Sequence, residues 1–311
     1  MRKDLTKSNN NTHGATFKSG FVTIAGAPNV GKSTLINRVL GQKISITSKK
    51  PQTTRNRILG IVHRPASQMI LIDTPGVHKA SGTLNKRMVD IAMSALFEAD
   101  LILFMADVTE PDLQSEQVLL NVFKQSNKDV ILALNKIDLI KKPVLLEQMD
   151  LWIKQYDFKT IVPISAKTGT QVEALLYAME TALPEGPRYF PKEDITDMPE
   201  RVLVAELIRE KVFRLTGQEI PYSTVVTVDT FLVEKKKGLV KIHANIHVER
   251  TSQKGIIIGK GGSKLKAIGE AARKDIEGMT RCRVFLKLFV QVQKNWSRDP
   301  RALRRFGYGS V

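Results

Sequence analysis

No stretch constrains this chain more than Gly26-Ala-Pro-Asn-Val-Gly-Lys32-Ser33. An apolar run, Phe21–Ala25, precedes it, and a helical pattern opens at Lys32. The string fits G-x-x-x-x-G-K-[ST], a strand-to-helix loop whose backbone N–H groups cradle phosphates under the helix dipole. A loop of that kind commits its surroundings to strands joined by crossover helices. Gly26, Ala27, Pro28, Asn29, Val30, Gly31, Lys32 and Ser33 are therefore the candidate phosphate-binding residues.

The pattern repeats as far as Ala182. Strands are predicted at Phe21–Ala25, Ile58–His63, Met69–Asp73, Leu101–Asp107, Val130–Asn135 and Ile161–Ser165. Helices are predicted near Lys32–Leu40, Leu84–Glu98, Ser115–Gln125, Val144–Tyr156 and Gln171–Ala182. Most of the strands are unbroken Val/Ile/Leu runs, as expected of strands covered on both faces. The fold class is an α/β P-loop domain: a mostly parallel six-stranded sheet with helices on both faces.

Four further motifs sit at the C-terminal strand ends or in the loops after them, where open α/β sheets bind ligands. Asp73-Thr74-Pro75-Gly76 offers a carboxylate for Mg²⁺ and an N–H for a γ-phosphate, followed by Val77. Asn135-Lys136-Ile137-Asp138 can choose the base, because the Asp138 carboxylate accepts from both the ring N–H and the exocyclic amine of guanine. Adenine lacks that donor pair and would leave the acid desolvated and unpartnered. Ser165-Ala166-Lys167 would add a backbone N–H toward guanine O6. Thr54 is the candidate γ-sensing Mg²⁺ ligand, with Thr53 as the alternative; Ser33 and Asp73 complete the Mg²⁺ set. Lys32, Thr54 and Gly76 are the candidate catalytic residues, acting by positioning and charge stabilisation. Where many GTPases carry a water-orienting glutamine, this chain has Val77, so slow intrinsic hydrolysis is expected.

Leu183–Pro199 contains four prolines and a glycine and reads as a linker. Beyond it the pattern becomes a helix at Glu200–Thr216, strands at Thr224–Glu234 and Leu239–Arg250, a helix at Ser263–Glu277 and a strand at Arg281–Lys294. The expected domains are a flexible tail at 1–19, a GTPase domain at 20–183, a linker at 184–199 and a small α+β domain at 200–311. The formal charge of +17 is concentrated in the last of these. From Arg201 onward 23 Lys/Arg face 10 Asp/Glu, against 25 and 21 before it, which points to a polyanionic partner. Within this domain, Gly255-Ile-Ile-Ile258-Gly259-Lys260-Gly261-Gly262-Ser-Lys264 joins an apolar run to a G-x-x-G loop and a helix. That is the KH arrangement, which clamps about four single-stranded nucleotides. Ile258, Gly259, Lys260, Gly261, Gly262 and Lys264 are the candidate RNA-binding residues, with Ile257 and Leu265 as further groove-lining candidates. The spacing of His243 and His247 places both on one strand face with no third ligand nearby.

A single cysteine, Cys282, excludes an internal disulfide framework, and no apolar run reaches the roughly 18 residues of a membrane span. The N-terminus has a basic start without a hydrophobic stretch behind it, so no secretory signal is expected.

Together the motifs resemble one family, the bacterial Era GTPases, from about Gly20 to Tyr308. The resemblance rests on the Gly26–Ser33 loop, Gln52-Thr-Thr-Arg, Asp73-Thr-Pro-Gly-Val-His, Asn135-Lys-Ile-Asp, Gly255-Ile-Ile-Ile-Gly-Lys-Gly-Gly, and the ending Trp296…Arg301-Ala-Leu-Arg-Arg-Phe-Gly-Tyr308. It implies a GTPase domain joined to a type II KH domain, with GTP/GDP and Mg²⁺ as ligands. It also implies binding to the 3′ end of 16S ribosomal RNA, a role in 30S subunit maturation, and a monomer in the cytoplasm with peripheral inner-membrane association. Ala27 departs from the family's longer polar residue. Asn29 resembles the asparagine that helps hold potassium in some related GTPases, which adds K⁺ to the expected ligands. Two other readings compete. One is a GTPase switch whose basic domain serves a membrane or protein partner; the other, an ATP-driven RNA enzyme, conflicts with Asp138.

Overall fold

The computed structural model describes residues 16–47, 58–74, 92–217, 220 and 224–307. The first domain runs β1 (Lys18–Ala25), α1 (Lys32–Leu40), β2 (Ile58–His63), β3 (Ser67–Asp73), α2 (92–98), β4 (Leu101–Asp107) and α3 (Leu113–Ser126). It continues with β5 (Val130–Asn135), α4 (Lys142–Ile153), β6 (Thr160–Pro163) and α5 (Val172–Ala182). The six strands lie in the order β2-β3-β1-β4-β5-β6. All neighbours are parallel except β2 and β3, which are joined by a short connection and pair antiparallel.

Strand β4 shows why the runs are unbroken. Leu101, Leu103 and Met105 face one core with Ile24, Leu35 and Leu71, while Ile102, Phe104 and Ala106 face another with Leu120, Phe123 and Trp152. With both faces covered, every side chain of the strand gains by being apolar, about 1.5–3 kcal/mol for each large one.

Strand β1 begins at Lys18, before the expected domain start. Lys18 pairs with Ser67 and donates to Thr181 O at 2.6 Å, and buried Ser19 donates to Pro187 O at 2.6 Å. Residues 16–19 therefore belong to the folded domain, which shortens the expected tail. The proline-rich connection is a fixed strap. Gln68 accepts from the Tyr189 and Phe190 N–H groups, Ile61 N–H donates to Ile195 O at 2.9 Å, and Ile195 and Met198 pack on the first core.

The second domain runs α6 (Glu200–Leu215), β7 (Val225–Glu234), β8 (Leu239–Val248), α7 (Thr251–Ile258), α8 (Ser263–Thr280), β9 (Arg283–Val292) and α9 (Pro300–Arg305). Its sheet has the order β7-β8-β9, with β8 and β9 parallel. Ile268, Ala272 and Ile276, spaced by four on α8, pack with α6 on one sheet face. On the other face, Trp296, Leu303 and Phe306 of the C-terminal segment gather around Val225. Helices α7 and α9 were not expected from sequence. Gln253 starts α7 by accepting from the Arg250 and Glu249 N–H groups at 3.0 and 2.9 Å. No helix among the described residues is long and apolar enough to cross a membrane.

Candidate functional site

The loop between β1 and α1 turns on Gly31, whose φ of 107° is left-handed. A Cβ there would run into the side-chain amide of Asn135. Buried Lys32 folds back over the loop and donates to Gly26 O and Ala27 O, both at 2.9 Å. Burial lowers its pKa to about 8, against an upward pull from Asp73. The side chains of Ala27 and Val30 are buried in the core, so these two residues offer a ligand their backbone.

Asn135 ties the two recognition loops together. Its Nδ2 donates to Val30 O at 2.6 Å, and its Oδ1 accepts from Ala166 N–H at 2.9 Å. The same residue thus braces the phosphate loop on one side and Ser165-Ala166-Lys167 on the other. Arg38 of α1 supports the latter from behind, donating to Ala166 O at 3.2 Å and also to Lys167 O. Lys136 takes a left-handed backbone and pairs with Asp107. The short 3₁₀ turn Ile137–Leu139 then presents Asp138 to solvent. Between these loops lies a cleft of about 880 Å³, lined by Asn29, Gly31, Asn135, Lys136, Asp138 and the Ser165–Lys167 loop. That is within the usual range for a small-molecule site.

At the phosphate end, Ser33 and Ser45 both donate to Oδ2 of fully buried Asp73, at 2.9 and 2.6 Å. One carboxylate among hydroxyls is a hard oxygen set suited to Mg²⁺, which prefers a few protein oxygens and completes its shell with water and phosphate. Among the described residues no group of three or more His, Cys, Asp or Glu could hold a metal ion, including at His243 and His247. The Thr74 hydroxyl donates to Ile24 O at 2.9 Å and braces the sheet, leaving its backbone for a ligand. Thr53, Thr54, Pro75, Gly76 and Val77 lie outside the described residues.

In the second domain, α7 and α8 meet at Gly259-Lys260-Gly261-Gly262. All three glycines have positive φ, from 59 to 79°, which suits a loop that a sugar-phosphate backbone must approach closely. Lys260 is exposed and Lys264 half-buried on the first turn of α8. Beside them a groove of about 400 Å³ runs between α8 and β9, lined by Leu265, Lys266, Gly269, Arg273, Leu286 and Leu288 among others. Ile257 is not part of it: fully buried, it packs in the domain core, because α7 turns that side chain inward.

The chain matches the family described as 50S ribosome-binding GTPase over residues 21–136 and the KH domain family over residues 219–297. It is 53% identical to the GTPase Era of Geobacter metallireducens over 292 residues, covering 94% of this chain and 98% of the relative. The chain belongs to the Era GTPase family. The corresponding protein of Geotalea uraniireducens is 52% identical over the same coverage. Two solved Era structures superpose on the chain at 42% identity, each covering 94% of it and 100% of the relative. One is an Aquifex aeolicus Era variant bound to GDP·AlF4⁻, at a TM-score of 0.91. The other is an Era in complex with MgGDPNP and nucleotides 1506–1542 of 16S ribosomal RNA, at a TM-score of 0.90.

For an Era-family chain, two sets of residues escaped sequence reading. Lys266, Arg273, Leu286 and Leu288 line the groove because β9 runs parallel beside β8, a pairing no local motif announces. Phe213 and Arg214 of α6 line the cleft of the first domain from the other domain. Arg214 donates to both the carbonyl and the hydroxyl of Thr47 at 3.0 Å. Only the tertiary fold brings these together.

Proposed function

We propose that this Era-family GTPase binds GTP with Mg²⁺ in the cleft of the first domain and binds the 3′ end of 16S ribosomal RNA through the second. The observation that carries the reading is one cleft lined by Asn29, Gly31, Asn135, Asp138 and the Ser165–Lys167 loop, with Ser33, two residues on from Gly31, hydrogen-bonded to Asp73. Backbone N–H groups of Gly26–Ser33 hold the phosphates, and Lys32 leaves its carbonyl partners for the β and γ oxygens. Ser33 and Asp73 would hold Mg²⁺, with Thr54 as a further ligand, and the ion would neutralise charge that develops on the phosphates. Asp138 accepts from guanine, Asn135 keeps the loops in register, and the Lys136 stem covers the base. Hydrolysis is slow without a partner, since Val77 cannot orient water by a side-chain hydrogen bond. Asn29, with its left-handed backbone in the loop, is the candidate for a K⁺ contact.

For the RNA site, the open G-x-x-G loop, its lysines and the apolar groove beside it fit a single strand. The small subunit is the assembly favoured, because the 42%-identical relative is crystallised with a 16S fragment. Maturation of the 30S subunit then follows as the role of a monomeric, cytoplasmic protein. Peripheral inner-membrane association accords with its basic charge.

Calorimetry with GDP, GTP and ADP on the Mg²⁺-loaded protein tests the first site. Strong binding of both guanine nucleotides with no ADP heat is expected, and equal heats would refute the reading. Filter binding of 16S 3′-end RNA to Gly261→Asp tests the second, with loss of binding expected.

A further inference from the structure

The sheet of the second domain has one face turned to helices α6–α8 and another turned outward. At one end the C-terminal segment covers the outer face, with the Phe306 ring 4.9 Å from that of His247. Among the described residues nothing covers the other end. There Phe285 and Phe289 of β9 stand 51% and 42% exposed. His243 of the adjacent strand lies between them, its ring centroid 6.4 Å from each. The Lys287 ammonium lies 5.2 Å from the Phe289 ring centre. Lys241 pairs in register with Phe285. The acids on this face are already engaged: Glu234 by Lys241 and Lys237, and Asp229 by Asn245.

Leaving two phenyl rings half exposed to water forfeits part of the gain that their burial would bring. Rings at i and i+4 on one strand stand about 13 Å apart with an imidazole between them. Flat rings interleaved with cations on an open sheet suit splayed bases and their phosphates. Strand β9 also links this face to the groove: Leu286 and Leu288 line the groove, Lys287 borders both the groove and the Phe289 ring, and Phe285 and Phe289 stand exposed outside it.

We propose that Phe285, His243 and Phe289, with Lys287 and Lys241, form a second single-stranded RNA contact. It takes the nucleotides that leave the G-x-x-G groove and pass over the β9 edge. The proposal rests on the RNA-binding reading given above. The G-x-x-G clamp holds about four nucleotides, so a longer strand needs a further platform.

The test uses the full-length protein with Mg²⁺ and a non-hydrolysable GTP analogue, and single-stranded RNAs of about 6 and about 20 nucleotides sharing one end sequence. A groove for about four nucleotides accommodates the shorter one. Phe285→Ser/Phe289→Ser should weaken the longer RNA by about tenfold or more, given the worth of a base–aromatic stack. It should leave the shorter within about twofold. Lys287→Gln should lower the salt slope for the longer RNA by about 0.7. Crosslinking of the thiouridine-containing long RNA, and not of the short one, to Phe285 or Phe289 of the wild-type protein provides a readout free of any folding defect. Unchanged affinity for the longer RNA, an equal loss for both lengths, or a crosslink confined to 258–264 would overturn the proposal. So would a double variant that loses only binding to phosphatidylglycerol vesicles. If Gly261→Asp leaves both RNAs bound as tightly as before, the groove reading itself fails, which is a separate outcome.

Discussion

Lys43, in the loop after α1, lies 2.7 Å from Asp275 of α8 and equally close to fully buried Glu210 of α6. One ammonium from the GTPase domain thus joins two carboxylates of the KH domain, in a cluster completed by Lys211 and Arg214. Burial alone would raise the Asp275 pKa, but hydrogen bonds from Lys211 and Lys43 hold it below the ordinary carboxylate range. The pin therefore persists at neutral pH and is lost as pH falls through that lowered value. Lys43→Ala should loosen the domain arrangement, seen as a broader interdomain distance distribution by fluorescence energy transfer. Removing one partner of a buried pair costs up to about 3–5 kcal/mol, and less here because two cations remain beside Glu210. The exchange Lys43→Asp with Asp275→Lys should recover part of the loss.

Asn135 is the second test. Its amide holds the phosphate loop and the Ser165–Lys167 loop at once, so Asn135→Ala leaves the buried Ala166 N–H unsatisfied and releases Val30 O. Each lost bond costs about 1–3 kcal/mol when a buried partner is stranded. GDP affinity should fall by about tenfold to a thousandfold in equilibrium dialysis, while the circular-dichroism spectrum stays that of the parent.

Glu116 on α3 bears on stability. It is 3% exposed, its Oε1 has no hydrogen-bond partner, and burial, with Asp112 and Asp107 nearby, raises its pKa to about 7. The folded chain holds this proton up to about pH 7, whereas an unfolded chain releases it near the ordinary value of 4.5. Stability should therefore drop as pH rises across that window. Glu116→Gln removes the penalty. Thermal melts should show stabilisation of up to about 3 kcal/mol at pH 8 and little at pH 5.

How far such features could be read from the chain depends on the range of the interactions behind them. The limits of β2, β4, β5 and α1 coincide with the expected ones, because burial on both faces or a loop motif marks them locally. Helix α7 was hidden: Gly255 and three isoleucines look like an apolar run, and only the Gln253 cap makes them helical. The strap at Tyr189–Ile195 was legible as a linker, though not as one bonded to Gln68 and Ile61. Lys43 meets Glu210 and Asp275 across 167 and 232 residues of sequence. No composition or spacing rule reaches that far.

With Lys32 in its proposed phosphate role, nucleotide binding should be linked to protons. Without a ligand its ammonium is buried against two carbonyls, and burial holds its pKa near 8. Phosphate oxygens brought against it favour the charged form and raise that value. At pH 8 about half of the empty molecules lack this proton, so binding must take it up. At pH 6.5 nearly all carry it already, and uptake should vanish. Calorimetric GDP titrations in buffers of different ionisation enthalpy should therefore show uptake near half a proton at pH 8 and almost none at pH 6.5. Affinity should weaken between pH 8 and 9. Lys32→Arg should abolish the proton linkage even if it binds GDP more weakly, because a guanidinium stays charged throughout. A wild-type enthalpy that does not depend on the buffer at pH 8 would show that Lys32 is fully charged before the nucleotide arrives.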